Sequence, residues 1–196
     1  VSSPDCGANK SAIVAPTAAP PGDPADLLLE AVRDNGLAIL PWSDSARALL
    51  ARVRFAGVPG MADSELAATL DQWLAPALAG KRRLRELQGG ALTTALLNRL
   101  GWDGQKLLDR LAPEAYRTPA GSHHPIDYAA EAGPTVTARV QAFFGLEAHP
   151  SIGAPPVPLV LSLTSPAGRP IQTTRDLPGF WRGSWADVAR EMRGRY

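Results

Sequence analysis

The sequence predicts an α+β fold, an N-terminal helical array followed by a small β-β-α-β-β-α unit. Three observations carry that expectation. Between residues 25 and 112, apolar residues recur three and four apart, broken at short intervals by helix-capping and helix-stopping residues. After Pro113 the helical period gives way to shorter apolar runs separated by turn residues. Val157–Ser165, VPLVLSLTS, is the most strand-like run in the chain.

The elements follow in order. Residues 1–24 read as a polar, proline-rich lead-in and linker, with one short strand at Ser11–Ala15. A first helix starts at Asp23, a capping residue, with Pro24 at the first helical position and Leu27, Leu28, Ala31 and Val32 on one face; Gly36 ends it. A second is capped by Ser43, carries Ala46, Leu49, Leu50 and Val53 inward, and stops at Gly57. Asp63 caps a third, with Leu66, Leu70, Trp73 and Leu74 on its face. A fourth covers Gly90–Leu100, and a fifth starts near Asp103 and ends before Pro113. Residues 25–112 thus form a helical subdomain with short connections. In residues 113–196, two strands flank Ala120-Gly121. Gly133–Gly145 reads as a helix with Val136, Val140, Phe143 and Phe144 inward. Val157–Ser165 turns at Pro166-Ala167-Gly168 into Arg169–Asp176. Asp176 opens a short helix near Pro178, and Ser184 with Asp187 starts the last one as a capping box.

Composition narrows the function. A net charge of +1 gives no global field to attract nucleic acid or membrane, so any binding charge is local. A single cysteine, Cys6, supports neither a disulfide framework nor a cysteine zinc site. No apolar run reaches the ~18 residues that a membrane span requires, and the N-terminus lacks the layout of a signal peptide. The expectation is a cytoplasmic protein with no membrane partner. The phosphate-loop, dinucleotide and nucleophile-elbow motifs are all absent. His123 and His124 are adjacent and, in a strand, point to opposite faces, which makes them a poor metal pair. Asp127 and Glu131 read as solvated loop residues. No catalytic residue, metal site or cofactor is expected in this chain.

Charge gathers in Ser165–Tyr196, where Arg169, Arg175, Arg182, Arg190, Arg193 and Arg195 face only Asp176, Asp187 and Glu191. Guanidinium groups fork phosphates, and indoles such as Trp181 stack on bases. The competing reading is packing. Trp181, Trp185 and Val188 lie at helical intervals and suit the cover of a small sheet, while cations in the last turns of a helix complement its dipole.

The stretch LTSPAGRPIQTTRDLPGFWRGSWADVAREMRGRY, Leu163–Tyr196, resembles the C-terminal region of the bacterial HrpB-type ATP-dependent helicases, in the DEAH/RHA group of superfamily 2. LDQWLAPALAG (Leu70–Gly80), LGWDGQKLLDRLAP (Leu100–Pro113) and PAGSHHPIDY (Pro119–Tyr128) agree, so the resemblance runs from about Ser11 to the end. It implies a much longer parent, an NTP hydrolase whose two RecA-like motor domains bind ATP and magnesium. Relative to the family pattern, the Val1–Lys10 lead-in matches poorly and the tail beyond Tyr196 is missing. This chain is then expected to be a non-catalytic accessory domain that contacts single-stranded RNA or DNA, or braces the motor domains. The candidate contacts are Arg169, Arg175, Arg182, Arg193, Arg195 and Trp181. The alternative is a protein-docking module, for which apolar residues around Trp42, Trp73 or Trp181 would stand exposed as anchors.

Overall fold

The computed structural model describes residues 22–195, and the side chains of residues 191–195 lie outside that description. The expected strand at Ser11–Ala15, Cys6 and nearly all of the lead-in also fall outside it.

Helix α1 (Pro24–Asn35) begins where the Asp23 carboxylate accepts the Ala25 N–H at 3.0 Å and ends at Gly36, whose φ of 77° suits glycine. Its inward residues are Leu29 and Val32. Leu27, expected on that face, is exposed. Helix α2 (Asp44–Ala56) is capped by the Ser43 hydroxyl and stops at Gly57 in the left-handed region. Ala46, Leu49, Leu50 and Val53 are all buried, as their spacing predicts. The expected third helix is three short ones, α3 (Asp63–Ala68), α4 (Leu70–Trp73) and α5 (Ala75–Leu78). Its cap position is Ala62, one residue before Asp63, and the Ala62 N–H donates to the Glu65 carboxylate. The chain breaks at Thr69, with φ −125° and ψ 30°, yet Leu66, Leu70, Trp73 and Leu74 still reach one core. Helix α6 (Ala91–Leu111) holds Gly101 at φ 62° and ψ −178°, so it is two helical halves meeting at a kink.

These helices enclose one apolar core, from Leu29 to Ala112. A second core, from Ile126 to Phe180, lies under a five-stranded sheet of order β1-β2-β3-β6-β7. Strands β1 (Ala115–Arg117) and β2 (His123–Asp127) form the expected hairpin around Ala120-Gly121. The expected helix over Gly133–Gly145 is instead β3 (Thr135–Arg139) followed by a 3-10 turn, Val140–Phe143. Val136, Ala138 and Val140 alternate inward, and β3 pairs in parallel with β6 (Val160–Thr164) from Thr135↔Val160 to Arg139↔Thr164. Three β-branched residues, Thr135-Val136-Thr137, favour that extended form. Phe144, expected inward, is 45% exposed. A small hairpin, β4 (Ser151–Ile152) with β5 (Val157–Pro158), lies in the crossover between β3 and β6. Strand β7 (Pro170–Thr174) pairs only with β6 among the described residues and is one edge of the sheet. Helices α7 (Leu177–Arg182) and α8 (Trp185–Arg195) close the chain.

The helical core meets the sheet along α2. Arg52 on α2 is 7% exposed; its guanidinium donates to the Ala112 carbonyl and to the carboxylates of Asp109 and Glu114. Phe55 packs against Tyr128 with ring centroids 5.0 Å apart, and the Tyr128 hydroxyl donates to the Pro113 carbonyl at 2.7 Å. Burial pushes the Tyr128 phenol up to about 12, against a smaller opposing pull from the Arg52 cation. The folded state therefore keeps this proton where the unfolded chain, near its ordinary value of 10.0, releases it. The stabilisation is complete below that value and is lost as pH rises through it towards 12. In an ultraviolet titration the Tyr128 phenolate is expected to appear late, and Tyr128→Phe is expected to remove that late step. A wild-type titration in which every tyrosine ionises near the ordinary value would contradict the burial.

Candidate nucleic-acid interface

The C-terminal segment is built outward from a tight hairpin. The Ser165 N–H donates to the Arg169 carbonyl at 2.8 Å, and the Gly168 N–H donates to the Ser165 carbonyl at 2.9 Å. Gly168, at φ 77°, supplies the left-handed position of this turn. After β7, the Asp176 carboxylate accepts the Gly179 N–H at 2.9 Å and starts α7, as the sequence predicts. His149 fixes the same corner. Its Nε2 donates to the Leu159 carbonyl at 2.7 Å and its Nδ1 accepts the Leu177 N–H at 3.1 Å. Because a carbonyl only accepts and an amide N–H only donates, these partners require the neutral ring protonated on Nε2.

Phe144, Phe180, Trp181 and Trp185 form an aromatic cluster with centroid separations of 5.1–6.0 Å. Trp181 is half-buried, and its indole N–H donates to the Leu146 carbonyl at 3.1 Å. Trp181, Trp185 and Val188 all pack on the sheet core. The indole proposed as a base-stacking surface is thus committed largely to holding α7 and α8 on the sheet. At the start of α8, the Asp187 carboxylate accepts from Arg190 at 3.1 Å.

Among the candidate arginines, Arg169 and Arg175 stand apart. Arg169 and Arg175 flank β7 at opposite ends, about 20 Å apart at ~3.3 Å per residue. Arg169 is exposed and its guanidinium makes no hydrogen bond or ion pair among the described residues, and the same holds for Arg182 at the end of α7. Arg175 is occupied, donating to the Ala132 carbonyl and so pinning the turn before β3. The side chains of Arg193 and Arg195 lie outside the described residues.

The densest cation run lies elsewhere, in a segment with no motif to mark it. Lys81, Arg82, Arg83 and Arg85 stand between α5 and α6 with a single acid, Glu86, among them. None of the four makes a side-chain hydrogen bond or ion pair among the described residues. The three arginines are exposed, while Leu84 packs on the helical core and Leu87 is 1% exposed. Beside this loop lies an open groove of about 670 Å³, lined in part by Gln72, Pro76, Ala77, Gln88, Asn98 and Arg99.

Of the indoles around the expected docking anchors, Trp73 is buried, and Trp42 and Trp181 are half-buried. Trp73 is buried with its N–H donating to the Leu66 carbonyl, and Trp42 stacks on it at 6.4 Å while donating to the Leu37 carbonyl. Among the described residues no three His, Cys, Asp or Glu side chains form a metal-binding group. Among the described residues no helix is long and apolar enough to cross a membrane.

Three comparisons bear on this arrangement. Residues 73–196 match the family model described as "ATP-dependent helicase C-terminal". The ATP-dependent RNA helicase HrpB of Escherichia coli K12 is 39% identical over 176 residues, which cover 86% of this chain but 22% of that protein. The chain thus spans less than a quarter of that relative's length. The crystal structure of the E. coli DExH-box NTPase HrpB aligns with a TM-score of 0.75 at 39% identity, over 86% of this chain and 22% of that one. A crystal structure of the E. coli DEAH/RHA helicase HrpB aligns with a TM-score of 0.73 at 35% identity, over 91% of this chain and 24% of that one.

Proposed function

Because this chain belongs to the C-terminal family of HrpB-type ATP-dependent helicases, we propose that it works as a non-catalytic accessory region that contacts single-stranded nucleic acid beside the motor domains. The observation that carries this reading is the set of exposed cations without acidic partners, Arg169 and Arg182 in the C-terminal segment among them, on a chain whose net charge is only +1. An arginine left unpaired on a balanced surface is available to a phosphate. The sequence carries no phosphate loop, so on this reading ATP and magnesium are assigned to the motor domains. ATP binding and hydrolysis, the single-strand substrate and a cytoplasmic setting all belong to the helicase that this region would serve.

A bracing role is compatible with the same surface. Phe55 on α2 packs against Tyr128, whose hydroxyl donates to the Pro113 carbonyl, so the helical core and the sheet are in contact there. The nucleic-acid reading is tested by fluorescence anisotropy on labelled single-stranded RNA and DNA. The double variant Arg169→Ala/Arg182→Ala is expected to weaken binding by about 1–2 kcal/mol, the scale of two partly exposed charge-assisted contacts. Unchanged affinity would remove the C-terminal arginines from the interface.

A further inference from the structure

We infer that the loop Lys81–Glu86 and the groove beside it form the main seat for a single strand, with the loop holding phosphates and the groove meeting base edges. This rests on the nucleic-acid reading above and moves its centre from the C-terminal hairpin to the helical subdomain.

The loop is presented as a fixed cationic surface. Gly80, at φ 72°, turns the chain out of α5, and the Lys81 N–H donates back to the Leu78 carbonyl at 2.8 Å. Leu84 and Leu87 then anchor it to the helical core through a short 3-10 turn, Leu84–Glu86. With the leucines turned in, Arg82, Arg83 and Arg85 are left outside. Holding the backbone this way lowers the ordering cost that a loose basic tail would incur on binding.

The groove is lined by residues that flank the loop in the chain. Ala77 precedes the loop and Gln88 follows it, and both line the groove. Inside it, Arg99 donates to the Gly60 carbonyl at 3.0 Å and to the Gln72 side-chain carbonyl at 3.2 Å, so both are oriented. The amides of Gln88 and Asn98 are exposed and make no side-chain hydrogen bond among the described residues. An amide carries both donors and acceptors, which suits the edges of unpaired bases. Cations on the loop for phosphates, together with free amides lining the groove for base edges, favour a single strand over an acidic peptide, whose carboxylates match the cations alone.

The test uses the full chain and a labelled oligouridylate, with the corresponding oligodeoxythymidylate as a second arm. Arg82→Ala/Arg83→Ala/Arg85→Ala is expected to reduce the slope of log K against log salt by about 2, at ~0.7 per lost phosphate contact on a single strand. Arg82→Lys/Arg83→Lys/Arg85→Lys keeps the charge and is expected to restore the slope, and circular dichroism checks that both variants fold. Photocrosslinking of a 4-thiouridine-containing strand is expected to label residues between Gln72 and Arg99. An unchanged slope in the alanine variant, or crosslinks confined to Arg169–Arg195, overturns this inference alone. Failure of the unaltered chain to bind either strand at low salt overturns the reading it rests on as well. Poly-aspartate competing as well as an unlabelled strand at matched charge would also overturn it, assigning the loop to acidic protein.

Discussion

Arg52→Ala is expected to destabilise the fold by about 2–4 kcal/mol, more than a helix-surface position normally costs. The reason lies in what the guanidinium satisfies. Asp109 and Glu114 are largely exposed, with side-chain accessibilities of 71% and 83%, so water replaces Arg52 for them at little cost. The Ala112 carbonyl, in a residue with no exposed surface, has no such substitute. An unsatisfied buried acceptor costs about 1–3 kcal/mol, and loss of the packed arginine stem adds to it. Arg52→Lys is expected to recover only part, because one ammonium cannot reproduce the three-way fork. Urea denaturation with far-ultraviolet circular dichroism reads both. An alanine variant within about 0.5 kcal/mol of wild type would show that Arg52 is an ordinary surface charge.

Trp181→Ala is expected to cost about 2–4 kcal/mol, since it empties the middle of an aromatic cluster and strands the Leu146 carbonyl. Trp181→Phe is expected to recover most of the packing but not the hydrogen bond. The comparison separates two roles for this indole. If Trp181 packs, the alanine variant melts lower, and any loss of nucleic-acid affinity follows the unfolded fraction. If it stacks on bases, affinity falls by about 1–3 kcal/mol at unchanged melting temperature, and the structural assignment is wrong. Melting curves and anisotropy on the same samples decide between them.

The helices were the readable part of this sequence, because their information is local. Asp23 and Ser43 cap α1 and α2, and Gly36 and Gly57 end them, all within a turn of the elements they bound. The β6–β7 hairpin was readable for the same reason, with its turn residues lying between its own strands. Strand β3 was not. Val136 and Val140 are four apart, which fits a helix, while Val136, Ala138 and Val140 fit a strand equally well. The parallel partner that decides the matter, β6, lies some two dozen residues further on. The candidate site was legible as chemistry but not as place. Six arginines near the C-terminus look like one patch in sequence, yet β7 separates Arg169 from Arg175 and a backbone carbonyl occupies the latter. Lys81–Arg85 falls between two predicted helices, and nothing local tells a solvated charge run from a binding surface. Only the inward turn of Leu84 and Leu87 shows that its arginines are held outward beside a groove. Arg52 sits among polar and apolar residues on α2, and nothing local marks it as the buried arginine that binds the end of α6.

The most direct test of the account is the salt dependence of single-strand binding by the unaltered chain. Affinity is expected to fall linearly in log K against log salt, with a slope more negative than about −2, the value that three phosphate contacts give. A chain that fails to saturate a labelled RNA or DNA strand at low salt, or whose affinity is indifferent to salt, would contradict it.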